Sequence, residues 1–81
     1  MTDQHWRMQL NNYLQSNGGT HLLQWEVYSS GPPHQLQWTA ITYIRGIEYA
    51  RCIGSRQGMT MENAARQTLD ALYSDRTGRY Y

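Results

Sequence analysis

Apolar positions first recur at helical spacing. Trp6, Leu10, Tyr13 and Leu14 fall at i, i+4, i+7 and i+8, which predicts an amphipathic helix over residues 3–17. The same stretch carries a second stripe, His5, Gln9 and Asn12, that is polar and almost uncharged. Thr2 or Asp3 offers the N-cap, and Asn17-Gly18-Gly19 stops the helix because Asn and Gly accept the left-handed conformation. From His21 to Tyr28 the period changes to two. Leu23, Trp25 and Val27 lie on one side and Gln24, Glu26 and Tyr28 on the other, as in a strand. Residues 29–34 break this regularity, and Pro32 and Pro33 remove two donors and stiffen the loop. Leu36 to Arg45 and Ile47 to Ile53 are β-rich runs separated by an Arg45-Gly46 turn. They lie too close for a crossover and are expected to pair as an antiparallel hairpin. A second helix is expected from Gly58 or Thr60 to Tyr73. Met61, Ala65, Thr68, Leu69 and Leu72 share its broad face, and Thr60 with Asn63 resembles a capping box. Residues 75–81 have no periodicity and read as a tail.

The order is α-β-β-β-α, an α+β domain over residues 3–74. Its three-stranded antiparallel sheet should carry both helices on one face, because both apolar stripes need burial. In the second strand Trp38, Ala40, Thr42 and Ile44 share one side, and Thr39, Ile41, Tyr43 and Arg45 the other. Ala64 and Ala65 permit close helix–sheet approach, and the small Ala50 and Cys52 suit the helix-packed face. Ile41, Tyr43, Tyr49 and Ile53 would then form an apolar patch on the free face. Such a patch is a candidate two-fold homodimer interface, which Tyr43→Glu should weaken.

Composition narrows the chemistry. Eighty-one residues leave room for one core, and 16% charged residues with a net charge of +1 exclude a strongly basic or a charge-swollen disordered chain. All seven cations are arginine. Trp6, Trp25 and Trp38 are expected in the core. The single Cys52 excludes an internal disulfide and a zinc site of paired thiolates, and it reads as a small packing residue. Met59 and Met61 read as gap-fillers beside the second helix. His5, His21 and His34 are scattered, no Gly-rich loop carries a lysine, and no nucleophile sits beside a base. The expectation is therefore a non-enzyme without metal or cofactor. No apolar run approaches 18 residues and no signal-peptide core is present, so a soluble intracellular chain, cytoplasmic or nuclear and not membrane-bound, is expected.

The remaining signal is a set of short motifs. Leu10-Asn11-Asn12-Tyr13-Leu14-Gln15 lies in the first helix and Gly31-Pro32-Pro33-His34 in the first strand connection. Trp38 follows four residues on, then the Gly46 turn, Gly54 before the second helix and Ala64-Ala65 within it. On these residues the chain resembles the double-stranded-RNA-binding domain over residues 5–73, and in its details short stand-alone fungal members. The resemblance implies a non-catalytic, largely sequence-independent partner for duplex RNA. Such domains span about 16 base pairs, touching two minor grooves and the phosphates between them. It assigns one minor groove to His5, Gln9 and Asn12 on the first helix, and the next to Gly31, Pro32, Pro33 and His34. The phosphates fall to the second helix's N-terminus, with Arg56, Gln57, Gly58 and Arg66. Here the chain departs from the family. The lysines of its usual Ser-Lys-Lys-x-Ala-Lys pattern fall on Gln57, Gly58 and Met61, and Arg56 sits one residue early. Phosphate contacts supply much of the affinity for nucleic acid, so their loss should weaken binding. The alternative is a protein-interaction or dimerisation module that keeps the fold without RNA.

Overall fold

The computed structural model describes residues 5–76. Helix α1 (Trp6–Ser16) is followed by a short 3₁₀ turn (Thr20–Leu22), then strand β1 (Leu23–Ser30). A second 3₁₀ turn (Pro33–Gln35) leads into β2 (Gln37–Ile44), β3 (Ile47–Gly54) and helix α2 (Gln57–Arg76). The strands form one antiparallel sheet in the order β1-β2-β3. This is the α-β-β-β-α order expected from the hydrophobic pattern. The hairpin turn is tight because Arg45 and Gly46 both take positive φ, 55° and 81°. Such a turn matches the right-handed twist of the strands it joins.

Several element boundaries differ from expectation: β1 runs on to Ser30 and α2 to Arg76, two residues into the expected tail, and three starts are displaced. Helix α1 begins at Trp6, with His5 in the left-handed conformation before it and making no side-chain cap hydrogen bond. Thr2 and Asp3 lie outside the described residues. Strand β1 starts two residues late, because Thr20–Leu22 coils into a 3₁₀ turn. Helix α2 starts early, at Gln57, which places Thr60 inside the helix and rules it out as a cap. Its hydroxyl donates to the Arg56 carbonyl at 2.6 Å. This back-bonding within the first turn is a common fate of a threonine that does not sit at the cap.

The core lies between the helices and one sheet face. Leu10 and Leu14 of α1 meet Ile44 of β2 and Ala65 and Leu69 of α2. A second cluster joins Ala40, Ala50 and Cys52 of the sheet to Ala64 of α2. The small residues let α2 lie close on β2 and β3. Truncating Leu10 or Leu69 to Ala would cost about 2–5 kcal/mol, the usual range for a buried leucine. Trp6 and Trp25 pack against these clusters and are only partly buried, while Trp38 is half-buried near the sheet's end. The core is thus built mainly from Leu, Ile and Ala, not from tryptophan. Met61 packs against the second cluster, whereas Met59 is exposed and fills no gap. Burial pushes the Cys52 thiol up from its ordinary pKa.

The outer sheet face corrects the expected apolar patch. Ile41 is only 2% exposed. It is flanked in register by Glu26 on β1 and Arg51 on β3. Around it Tyr43 donates its hydroxyl to Glu26 at 2.9 Å, and Arg51 pairs with Glu48 at 3.0 Å. Long polar side chains thus flank the isoleucine on both neighbouring strands, and such chains can cover apolar surface with their stems while their charged ends stay in water. Tyr49 is not on this face at all. The β2–β3 register slips between Thr42 and Tyr43, so Thr42 faces Ala50 but Tyr43 faces Glu48. The extra residue, Tyr49, packs against the helix-side core. Of the four expected patch residues, Ile53 alone is widely exposed, at 58%.

Candidate nucleic-acid interface

Three segments singled out by sequence can be followed residue by residue. On α1 the buried side is Leu10 and Leu14, and His5, Gln9 and Asn12 are exposed. The Gln9 amide donates to the His5 carbonyl at 3.0 Å, so the stripe begins where the helix begins. Its polar groups offer both donors and acceptors, the chemistry that 2′-hydroxyls and base edges in a shallow minor groove require.

The β1–β2 connection owes its shape to Gly31 and the two prolines. Gly31 has φ +95°, and a Cβ there would lie 2.9 Å from the Gln35 carbonyl oxygen. Pro32 is extended, and Pro33–Gln35 closes a 3₁₀ turn in which the Gln35 amide donates to the Pro32 carbonyl at 2.9 Å. His34 is exposed in the middle of that turn. A loop with two fixed φ angles and an internal hydrogen bond loses little further entropy on binding.

At the start of α2, Arg56, Gln57 and Gly58 are exposed. The Arg56 carbonyl accepts the first helical bond, from the Thr60 amide at 3.0 Å. The first-turn amides of a helix have no intrahelical acceptor and carry the positive end of its dipole. Gly54 sets the approach of β3 to this turn. A Cβ at Gly54 would lie 2.5 Å from the Thr60 hydroxyl. Arg66 is exposed between two and three turns on, with its guanidinium 5.4 Å from the centre of the Trp6 ring. That stacking holds a cation between the two helices.

These segments adjoin one another along one side of the molecule. Gln35, Leu36 and Gln37 share a depression with Ile53, Gly54 and Ser55. Gly54, Ser55 and Arg56 share the next with Met59, Thr60 and Asn63. Beyond it, Met61 and Glu62 touch the start of α1. The Trp6 amide and the Arg7 Nε (2.7 Å) each donate to a Glu62 carboxylate oxygen. The neighbouring segments thus make up one ridge of chain, indented by these depressions, from the proline turn past the start of α2 to the first turn of α1. The sequence reading missed Glu62. It lies 56 positions from Trp6, and a single-chain pattern gives no signal for a contact of that range.

His5 precedes α1 while His21 and His34 sit in the two separate 3₁₀ turns, and among the described residues no three metal-ligating side chains gather. No helix among the described residues is long and apolar enough to cross a membrane. Neither a protein-family model nor a curated protein matches this sequence.

Proposed function

We propose that this chain is a double-stranded-RNA-binding domain that acts by binding alone, without chemistry on the RNA. The observation that carries the reading is the continuity of the ridge. The segments that carry the motifs are far apart in sequence, yet they adjoin: the end of the proline turn meets the end of β3 just before Arg56, and the second turn of α2 meets the first turn of α1. One ligand long enough to span several grooves can reach all three segments. A-form duplex RNA suits their chemistry. Polar, mostly neutral side chains meet 2′-hydroxyls, and a helix N-terminus with Arg56 and Arg66 meets phosphate.

Binding should be modest and shape-selective. With about two arginines reaching phosphate, affinity should fall only about tenfold between 50 and 200 mM salt, because each contact contributes about 0.9 to the logarithmic slope. The test is His34→Ala. The variant should lose affinity for an RNA duplex and change little on single-stranded RNA or B-form DNA. Equal loss on all three ligands contradicts groove recognition by this turn. Absence of duplex binding at low salt would leave the interaction-module reading. The outer-face dimer expected from sequence is not carried forward, since Ile41 is covered and Tyr49 faces the core.

A further inference from the structure

Among the described residues, helix α1 finds no capping side chain within its own segment. Its N-cap position, His5, makes no side-chain capping hydrogen bond, and its first turn contains no acidic residue. The first amides of a helix need acceptors, and the positive end of the dipole favours a nearby carboxylate. Both needs are met from outside the segment. Glu62, in the second turn of α2, accepts from the Trp6 amide with one carboxylate oxygen and from Arg7 Nε with the other. Arg7 also reaches the Met61 sulfur, at 3.7 Å, and Arg66 stacks on Trp6 from α2. Four contacts thus gather on one short stretch of each helix.

The position of this clasp matters because α1 leans chiefly on α2 and not along a strand. Its lower half is held by Leu10 and Leu14 in the core. Its first turn, the part that presents His5 and Gln9, is tied down by Glu62 and by the stacked Arg66. We propose that Glu62 is a positioning residue. It caps α1 from α2 and thereby fixes the angle between the polar stripe of α1 and the rest of the ridge. The carboxylate acts on RNA only through Trp6 and Arg7, and its own charge opposes phosphate. The RNA part of this inference rests on the proposed duplex binding; the capping part does not.

Two variants separate the cap from the charge. Glu62→Ala removes the acceptor and the charge together. Glu62→Gln removes the charge but keeps an oxygen that can accept from the Trp6 amide. Amide hydrogen exchange, followed by NMR on the full chain, reads the cap. Loss of one cap should speed exchange in the first turn of α1 about five- to tenfold in the Ala variant, with a smaller change in the Gln variant. Amides of β2 should exchange as in the parent in both, which shows the fold intact. Duplex RNA affinity should fall severalfold for Ala and less for Gln. If the charge alone mattered, both variants would bind more tightly than the parent, and that result overturns the positioning role. Unchanged α1 exchange in the Ala variant overturns the cap itself. A parent chain that binds no duplex defeats the RNA part, and exchange still decides whether Glu62 caps α1.

Discussion

At the scale of single residues, the buried polar groups are the most exacting. Thr42 and Thr68 are fully buried, with their hydroxyls 2.6 Å apart. Thr68 also lies 2.7 Å from the Ala64 carbonyl and donates to it. Its single proton is thereby used, so the Thr42 hydroxyl must donate to Thr68. The pair is asymmetric. Thr68→Val strands a buried donor and should cost about 1–3 kcal/mol, Thr42→Val should cost less, and the double variant should recover part of the loss. Urea unfolding of the three variants measures this; equal costs for the two single changes would refute the assigned direction. A second coupled pair is Gly54 and Thr60. The Thr60 hydroxyl is fixed by its bond to Arg56, so a Cβ at Gly54 has nowhere to go. Gly54→Ala should destabilise by about 1–3 kcal/mol in the parent and by clearly less in a Thr60→Ala background. Purely additive losses would contradict the steric account. Sequence made Gly54 visible as a boundary before α2, and it made Ala50 and Cys52 visible as helix-facing. It could not reveal that the need for glycine comes from a threonine six residues on, since that follows from where α2 begins.

At the scale of elements, the two helices and three strands were legible because each carries its own period. Boundaries were less so. The start of α1 is set by a carboxylate on α2, and the start of β1 by a 3₁₀ turn that interrupts the alternation. The bulge at Tyr49 was hidden for the same kind of reason: an extra residue changes which side chains share a face, and a period-two reading carries on past it. The outer sheet face consequently bears a polar network where an apolar patch was expected. Its chemistry can be read by titration. The hydrogen bond to Glu26, together with partial burial and the nearby carboxylates, holds the Tyr43 phenol above its ordinary pKa. An unfolded chain would ionise this phenol near pH 10, while the folded chain keeps it neutral to higher pH. Its contribution to stability is therefore fully present below about pH 10 and is lost as pH rises through the folded value. Absorbance titration should find one tyrosine ionising late, and Glu26→Gln should bring it back toward the others. A Tyr43 that ionises identically in both proteins would mean the bond to Glu26 does not persist in solution.

At the scale of the whole molecule, the fold gathers three polar segments into one ridge and leaves it with few cations. The motifs of this ridge could be read in the sequence as a resemblance. Their adjacency could not, because it depends on how β3 delivers the chain to α2 and on how Glu62 ties α1 down. The missing lysines give a direct lever. Gln57 is exposed in the first turn of α2, and Gln57→Lys adds a cation there without altering the helix start. It should tighten duplex binding and steepen the logarithmic salt dependence by about 0.9, the share of one added phosphate contact. An unchanged slope would mean that the start of α2 does not meet phosphate. The central claim is that the ridge recognises the shape of an RNA duplex. The measurement that tests it most directly is a titration of the full chain with a duplex of about 20 base pairs, long enough for one bound domain. It is run at two salt concentrations beside the single strand and the matching DNA duplex. Saturable binding that prefers the RNA duplex, with the shallow salt dependence of few phosphate contacts, is the predicted result. No binding at low salt, or equal binding to all three nucleic acids, would contradict it.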